Sequence, residues 1–296
     1  MNEATRCGYI AIVGRPNVGK STLLNCILGK KVSITSPKPQ TTRGQLIGIK
    51  TVDDAQFVYI DTPGLHDAEK RAMNKYMNRL ASSSIGDADV IVFMIEATRW
   101  DKDDQSVLDK LQDVKVPVIL VINKIDALKD KSQVLPLMEK LTAKFSFTDI
   151  VPLSAKNADN VSLLEDLLKK FLPEGPFLFP EDQVTDKSLN FQLAEIIREK
   201  LIFATDQEVP YSSMVEIENY VAGEKLIEVS AIIWVEREGQ KAIVIGKKGE
   251  LLKKIGTQAR KEMEVLLNQK VFLRLWVKVK ENWTENEKDF RDMGFE

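Results

Sequence analysis

Short apolar runs alternate with amphipathic stretches through the first half of the chain. The apolar runs are rich in aliphatic residues, as in strands that are buried on both faces of a sheet. They occupy 9–13, 46–52, 56–60, 90–95, 116–122 and 150–153. Stretches with helical spacing lie at 22–28, 70–84, 103–111, 133–145 and 161–171. Asp53-Asp54 predicts a hairpin turn, and the wider alternation predicts an α/β domain with a mostly parallel sheet covered by helices on both faces.

The second half of the chain has a different order of elements. It begins after a segment with Pro173, Pro176 and Pro180, which predicts a linker at 173–183 between a first domain at 1–172 and a second at 184–296. A helical stretch, two strand-like runs, a second helical stretch and a strand of alternating polarity then follow one another. Their ranges are 188–204, 214–221, 226–235, 251–266 and 271–279. This order predicts a smaller α+β domain.

Composition adds limits to this picture. The chain has 296 residues, a formal net charge of −2 and 44% hydrophobic residues, which suffices for two cores and excludes a protein that is basic over its whole surface. Cys7 and Cys26 are too few for a disulfide framework or a metal cage, so we expect buried, reduced thiols in a cytoplasmic protein. No signal peptide and no apolar run of about 20 residues, the length that crosses a bilayer, is evident.

Residues 14–21, GRPNVGKS, carry the clearest chemical signal. They fit the phosphate-loop pattern G-x-x-x-x-G-K-[ST] between a predicted strand and a predicted helix. Gly14 and Gly19 allow the backbone to fold around an anion, and N–H groups at the helix N-terminus point at phosphate oxygens. Lys20 is expected to neutralise the outer phosphates, and the Ser21 hydroxyl suits Mg²⁺. The predicted nucleotide-binding residues here are Gly14, Arg15, Pro16, Asn17, Val18, Gly19, Lys20, Ser21 and Thr22.

A second motif, D-x-x-G, stands at the end of the run 56–60. The carboxylate of Asp61 is placed to hold the Mg²⁺ shell, and the N–H of Gly64 to contact a terminal phosphate. This motif is common, but its position downstream of a phosphate loop favours a functional role. The predicted nucleotide-binding residues here are Asp61, Thr62, Pro63, Gly64 and Leu65.

A third and a fourth motif predict a site for the base. Asn123-Lys124-Ile125-Asp126 follows the run 116–122, at the carboxyl edge of the sheet where α/β folds bind nucleotides. Asp126 can accept two hydrogen bonds from guanine, a pairing that adenine does not offer. Lys124 can lie over the base, and Asn123 can tie this loop to the phosphate loop. Ser154-Ala155-Lys156 ends the next run and is expected to supply a backbone N–H to the guanine oxygen.

These motifs, in this order over residues 14–156, resemble the translation-factor-related class of P-loop GTPases. The resemblance implies that GTP or GDP and Mg²⁺ are bound, and that the segment around Thr41 and Thr42 is a first switch loop. Thr42 is favoured as the threonine that completes the Mg²⁺ shell with Ser21 and Asp61 when GTP is bound. Thr41 is the alternative.

Hydrolysis needs a water in line with the terminal phosphate and a source of positive charge. GTPases of the Ras type orient that water with a glutamine just after D-x-x-G, where this chain has Leu65, so other groups must position it. Several relatives with an asparagine at the Asn17 position use K⁺, so Asn17 is either a K⁺ ligand or a residue that shapes the loop. Slow intrinsic turnover is expected. His66 is more often a surface or packing residue at such a position than a general base. The catalytic candidates are Lys20, Thr42, Gly64 and Asn17.

The second domain centres on a G-x-x-G motif with two lysines, at 246–249. Before a helix, this motif resembles the KH module of RNA-binding proteins. From 237 to 280 there are twelve basic and four acidic residues, a local excess that suits phosphate binding. Composition favours a strand at 241–245, whereas the resemblance implies a short helix there and the type II arrangement. The predicted RNA-binding residues are Arg237, Ile245, Gly246, Lys247, Lys248, Gly249 and Lys253.

The combination of both halves resembles the Era-type family of bacterial GTPases over essentially the whole chain. The resemblance implies binding near the 3′ end of small-subunit ribosomal RNA, a role in maturing the small ribosomal subunit, and weak peripheral association with the inner membrane. A monomer is expected. One alternative is an RNA-binding assembly factor for which the nucleotide is only a structural ligand. Another is a P-loop kinase, which the guanine-reading motif at 123–126 argues against.

Overall fold

The computed structural model describes residues 5–36, 38, 44–64, 72–205, 209–281 and 283, and the chain divides into the units Met1–Asp186 and Lys187–Glu296. The strands of the first unit are β1 (Arg6–Val13), β2 (Leu46–Val52), β3 (Ala55–Asp61), β4 (Val90–Glu96), β5 (Val118–Asn123) and β6 (Asp149–Pro152). Its helices are α1 (Lys20–Leu28), α2 (Ala72–Gly86), α3 (Lys102–Lys110), α4 (Val134–Thr142) and α5 (Val161–Lys169). The strand order is β2-β3-β1-β4-β5-β6, and only β2 and β3 pair antiparallel.

Both faces of this sheet lie in the core. Every side chain from Ile10 to Val13 of β1 is fully buried, which requires cover on both faces because successive side chains point to opposite sides. On one face, Leu108 of α3 and Leu141 of α4 join the core cluster. The predicted parallel sheet is therefore confirmed, and so is the hairpin turn at Asp53-Asp54.

The proline-rich segment and the residues that follow it form hydrogen bonds to β3 and β2 of the first unit. The side chain of Gln56, which is fully buried, accepts the N–H groups of Leu178 and Phe179 at 2.8 and 2.9 Å and donates to the carbonyl of Phe179 at 2.8 Å. At the edge of the sheet, the N–H of Ile49 donates to the carbonyl of Val184 at 2.8 Å. The first unit thus extends to residue 186, three residues beyond the predicted linker.

In the part of the second unit that the structure describes, a three-stranded sheet packs with three α-helices. Its elements are α6 (Leu189–Ala204), β7 (Ser213–Ala222), β8 (Leu226–Val235), α7 (Glu238–Ile245), α8 (Glu250–Leu267) and β9 (Lys270–Val279). β7 and β8 are antiparallel, whereas β8 and β9 are parallel. Leu193, Ile255 and Met263 of the helices join one core with alternate residues of the sheet.

The segment before the G-x-x-G motif is helical, so the strand favoured by composition is wrong and the expectation from the KH resemblance is confirmed. Val244 is fully buried in the core of this unit. Tertiary packing therefore outweighs the modest β preference of its isoleucine and valine residues. The side chain of Gln240 caps the N-terminus of this helix by accepting hydrogen bonds from the N–H groups of Glu236 and Arg237 at 2.9 and 3.1 Å.

The two cysteines differ in burial. Cys7 is buried as expected, but Cys26 is only partly buried, so the expectation for the second cysteine is wrong. It lies on α1, which packs against the sheet with one face only. Within the described residues, no helix combines the length and apolar character that crossing a bilayer requires.

Candidate functional site

The phosphate loop joins β1 to α1, and its two glycines are required by the backbone. Gly14 has a φ of +156°, and a Cβ there would lie 2.3 Å from the carbonyl oxygen of Met94. Gly19 has a φ of +104°, and its Cβ would lie 2.3 Å from Nδ2 of Asn123. Any side chain at either position would clash, so the loop has this shape because the residues are glycine.

Lys20 begins α1 and lies beneath this loop. Its side chain is almost completely buried, and its ammonium donates to the carbonyl oxygens of Gly14 and Arg15, both at 3.0 Å. Burial lowers the pKa of Lys20 to about 8; Asp61 opposes the shift, and Arg15 adds to it. A buried cation that donates to two neutral carbonyl groups gains strongly from a phosphate anion, as the sequence predicts for this lysine.

Asp61 ends β3 and is fully buried beside the phosphate loop. Its Oδ2 accepts the hydroxyl groups of Ser21 at 2.8 Å and Ser33 at 3.1 Å. These hard oxygen atoms fit Mg²⁺, which takes one or two protein ligands and completes its shell with phosphate and water. Among the described residues, no three histidine, cysteine or acidic side chains gather as a complete protein cage for a metal. The Ser33 contact had no signal in the sequence.

The D-x-x-G glycine approaches the phosphate loop closely. A Cβ on Gly64 would lie 2.7 Å from the backbone nitrogen of Pro16. The hydroxyl of Thr62 donates to the carbonyl of Ile12 at 2.8 Å, so this threonine fastens the motif to β1. The motif therefore lies against the loop that its predicted role requires.

The base-reading loop follows β5 and is joined to its neighbours by Asn123. The amide of Asn123 donates to the carbonyl of Val18 at 2.8 Å and accepts the N–H of Ala155 at 3.0 Å. The predicted tie to the phosphate loop is present. Asp126 is exposed, as a group that reads a base must be, and accepts the hydroxyl of Ser154 at 2.6 Å.

Lys124 lies between the two loops. It has a φ of +66°, a left-handed conformation that is uncommon for a residue with a side chain. Its ammonium donates to the carbonyl of Asn17 at 2.8 Å and to Oε1 of Glu96 at 2.7 Å. The base-reading loop therefore contacts the phosphate loop through a cation as well as through Asn123.

Arg15 differs from the other residues of the phosphate loop. Its guanidinium is 2% exposed and donates to Glu96 at 2.5 Å and to the fully buried Asp104 at 3.1 Å. Burial acts to lower the pKa of Arg15, but the two carboxylates together raise it, and burial raises the pKa of Asp104. The guanidinium of Arg15 is thus held by carboxylates and also donates to the carbonyl of Pro16 at 3.3 Å, and the role of Arg15 in nucleotide binding stays a prediction.

The G-x-x-G loop of the second unit lies at the mouth of a groove. Gly246 has a φ of +71°, and a Cβ there would lie 2.7 Å from Cβ of Leu251. Gly249 has a φ of +80° with open space around the missing side chain, which permits close approach of another backbone. Lys247 and Lys248 are exposed. The groove has a volume of about 370 Å³ and is lined by Gly249, Leu252, Lys253, Gly256, Thr257, Arg260, Leu273 and Leu275.

Most of these lining residues were not predicted. Gly249 and Lys253 were, whereas Arg237 immediately precedes α7 and Ile245 ends it, outside the lining of the groove. Gly256 keeps space open between α8 and the Leu275 side chain, because a Cβ at this position would lie 3.2 Å from that side chain. A glycine inside a predicted helix was the one available signal.

Comparison with known proteins decides the family. Residues 9–124 match the family described as 50S ribosome-binding GTPase, and residues 208–284 match the KH domain family. GTPase Era from Coxiella burnetii (strain Dugway 5J108-111) is 54% identical over 294 residues, which cover 99% of both chains. GTPase Era from Actinobacillus pleuropneumoniae serotype 5b (strain L20) is 54% identical over 292 residues, 98% of this chain and 96% of the relative. The chain belongs to the Era family of GTPases.

Solved structures of Era have the same fold. A crystal structure of Era in complex with MgGDPNP and nucleotides 1506–1542 of 16S ribosomal RNA matches with a TM-score of 0.95 and 43% identity, covering 98% of this chain and 99% of that one. A variant of Aquifex aeolicus Era bound to GDP·AlF4⁻ matches with a TM-score of 0.94, 43% identity and the same coverage. The predicted family, fold class and GTP-hydrolysing activity are confirmed.

Four residues discussed above for the Mg²⁺ shell, for the position after D-x-x-G or as a surface or packing residue lie outside the described residues. They are Thr41, Thr42, Leu65 and His66. Asn17 is described, with an exposed side chain and a φ of +66°, and its role as a K⁺ ligand stays a prediction. The individual roles of the other site residues also stay predictions, supported by the geometry above.

Proposed function

We propose that this Era family member is a GTP-hydrolysing switch that binds small-subunit ribosomal RNA near its 3′ end and assists maturation of the small subunit. The groove beside Gly249 carries the proposal, because its lining combines leucine side chains with the cations of Lys253 and Arg260. Bases stack or pack on apolar surface while cations meet the phosphates. The solved Era complex with 16S ribosomal RNA, which matches the chain over almost its full length, supports this choice of RNA.

The nucleotide site supports hydrolysis by positioning and by charge. Lys20 binds the outer phosphates, Asn123 and Asp126 orient the guanine, and Gly64 approaches the terminal phosphate from the D-x-x-G motif. Ser21 and Asp61 hold Mg²⁺, with Thr42 as the further ligand in the GTP state. When bound, Mg²⁺ supplies positive charge to the phosphate oxygens. Asn17 is the proposed K⁺ ligand, and slow turnover without a partner follows from the leucine at position 65.

An RNA titration tests the binding site. The probe is a fluorescent oligonucleotide with the 3′ end sequence of small-subunit ribosomal RNA, beside one of scrambled sequence. Replacing Lys247 and Lys248 with glutamate is expected to weaken binding at least about tenfold and to reduce the salt slope, by about 0.7 for each phosphate contact to a single strand. The matched control replaces Lys110 and Lys115, which are exposed lysines of the first unit, with glutamate. Equal affinity of the two double variants contradicts the proposed RNA site.

A second titration tests the switch. The same RNA is added to protein loaded with GDP and to protein loaded with a non-hydrolysable GTP analogue. We expect affinities that differ at least about fivefold, the lower end of usual coupling between two sites. Equal affinities contradict the switch and favour the alternative in which the nucleotide is a structural ligand of an RNA-binding factor. Hydrolysis itself is measured separately as phosphate release.

The cellular setting completes the proposal. We expect a monomeric cytoplasmic protein with weak peripheral contact to the inner membrane, on the basis of the family alone. Sedimentation of the purified protein with vesicles of inner-membrane lipid, at low and at physiological salt, tests the membrane contact. Light scattering tests the monomer.

A further inference from the structure

Glu96 lies at the carboxyl end of β4, between the two loops of the nucleotide site. β4 is flanked by β1, which leads into the phosphate loop, and by β5, which leads into the base-reading loop. The register pairs Glu96 with Asn123, and the N–H of Ala97 donates to the carbonyl of Asn123 at 2.8 Å. The topology therefore brings this one side chain within reach of both loops.

The carboxylate of Glu96 contacts one cation from each loop. Its Oε2 accepts a hydrogen bond from Nη2 of Arg15 at 2.5 Å, and its Oε1 accepts one from Nζ of Lys124 at 2.7 Å. Arg15 is anchored on its other side by Asp104, and Lys124 also donates to the carbonyl of Asn17 at 2.8 Å. These bonds join the two loops through a single carboxylate.

The environment makes this link strong. The side chains of Glu96 and Arg15 are 17% and 2% exposed, so water screens the pair little. Burial acts to raise the pKa of Glu96, but the hydrogen bonds from Lys124 and Arg15 outweigh it and lower the pKa, which keeps the carboxylate ionised at neutral pH. Charge-assisted hydrogen bonds of this kind are roughly twice as strong as neutral ones.

We propose that Glu96 is a positioning residue for guanine-nucleotide binding, which holds the phosphate loop and the base-reading loop at the spacing that one nucleotide spans. The inference rests on the proposed nucleotide site. Without the carboxylate, Lys124 keeps one contact to the phosphate loop and Arg15 keeps Asp104. The two loops then separate more easily, and a bound nucleotide leaves faster.

Nucleotide dissociation from the purified full chain tests this inference. Glu96→Gln keeps the size of the side chain and removes its charge. We expect the dissociation rates of fluorescent GDP and of a fluorescent GTP analogue to rise by about ten- to a hundredfold, with a matching rise in KM for GTP that exceeds any fall in kcat. The control is Glu139→Gln, the same change at an exposed position of α4, which should leave both rates within about twofold.

Further measurements separate positioning from general stability. In a double-mutant cycle, Glu96→Gln should add little to the dissociation rate of Lys124→Met, because Glu96 joins the two loops only while Lys124 is there to contact it. Glu96→Asp is one methylene shorter and should reach one cation at a time, so we expect an intermediate rate of nucleotide dissociation. This variant replaces Glu96→Gln in the test if the glutamine variant does not fold. A lower unfolding temperature with an unchanged dissociation rate overturns the inference. Failure of the unaltered chain to bind GDP contradicts the nucleotide site itself.

Discussion

Ser154 donates its hydroxyl to Oδ1 of Asp126 over 2.6 Å. The two residues come from loops after different strands, β6 and β5, so the bond fixes the carboxylate that is predicted to read the base. Ser154→Ala should therefore weaken GDP binding about five- to tenfold, the usual cost of one hydrogen bond, and Ser154→Thr should restore it. Calorimetric titration gives the affinities. Ser132→Ala is the matched control, because Ser132 makes the same kind of bond to Asp130 at 2.7 Å on an exposed turn; an equal loss there contradicts the assignment.

Asp126→Asn should change which base is preferred. The amide presents a donor where the carboxylate had an acceptor, which suits the xanthine ring rather than guanine. We expect GTP binding to fall by about a hundredfold or more and xanthosine triphosphate to become the better ligand. Competition against a fluorescent nucleotide measures both. Asp113→Asn, at an exposed position of the same unit, should keep the preference for GTP, and retained preference in the Asp126 variant refutes base reading by this residue.

The affinity for GDP should depend on pH through Lys20. Its pKa of about 8 in the protein rises when phosphates bind, since they favour the charged ammonium. Below about pH 8 the lysine is already protonated and affinity should be level. Above that value binding must take up a proton, and affinity should fall by up to about tenfold per pH unit.

Calorimetry from about pH 7 to about pH 9, in buffers of different ionisation enthalpy, measures the proton uptake. Lys20→Arg keeps its positive charge over this range. The pH dependence that remains in this variant therefore measures the titration of the nucleotide itself. The same pH profile in both proteins excludes Lys20 as the titrating group.

Gly256→Val should fill the groove between α8 and β9 without changing any charge. A Cβ at this position already lies 3.2 Å from Leu275, so the larger side chain points into the space that RNA would occupy. We expect RNA binding to fall at least about tenfold, with the folded α8 favoured by removal of a glycine. Gln258→Val, at an exposed position of the same helix, is the control. The RNA affinity is measured by fluorescence anisotropy. An unchanged affinity in the Gly256→Val variant would show that RNA binds elsewhere.

Gln56→Leu should destabilise the first unit. The N–H groups of Leu178 and Phe179 lose their acceptor, and each unsatisfied group costs about 1–3 kcal/mol when it stays buried. Urea unfolding should show a decrease in the free energy of unfolding of about 1–3 kcal/mol, and proteolysis should cut near Leu178, which is 53% exposed, more readily. Gln112→Leu at an exposed position gives the baseline, and equal stabilities would mean that these bonds contribute nothing.

The part of the candidate nucleotide site that the sequence predicted is the part whose geometry follows from local rules. Asp61, Glu96 and Asn123 are each the first polar residue at the end of an apolar strand, and parallel strands present such residues at one edge of the sheet. Two of the three belong to known motifs and were predicted. Glu96 carried the same signal, but it belongs to no known motif, and its role was therefore not predicted.

Other contacts lay beyond local patterns. Gln56 meets Leu178, a residue 122 positions away, and Ser33 meets Asp61 across 28 positions. Neither pairing follows from spacing within an element, because both depend on the tertiary path of loops. The helix at Glu238–Ile245 was predicted only by family resemblance, since its composition favours a strand and burial of Val244 decides the outcome.

The last residue of the first unit is hydrogen-bonded to β2, the strand that follows the predicted first switch loop. Asp186, the last residue of the first unit, accepts the N–H of Ile47 at 3.2 Å, two residues into the strand that follows the predicted first switch loop. A slip of β2 by one residue would shift this anchor by about 3.3 Å along the strand. A change of nucleotide that displaces β2 would therefore also displace Asp186, from which the chain continues into the second unit.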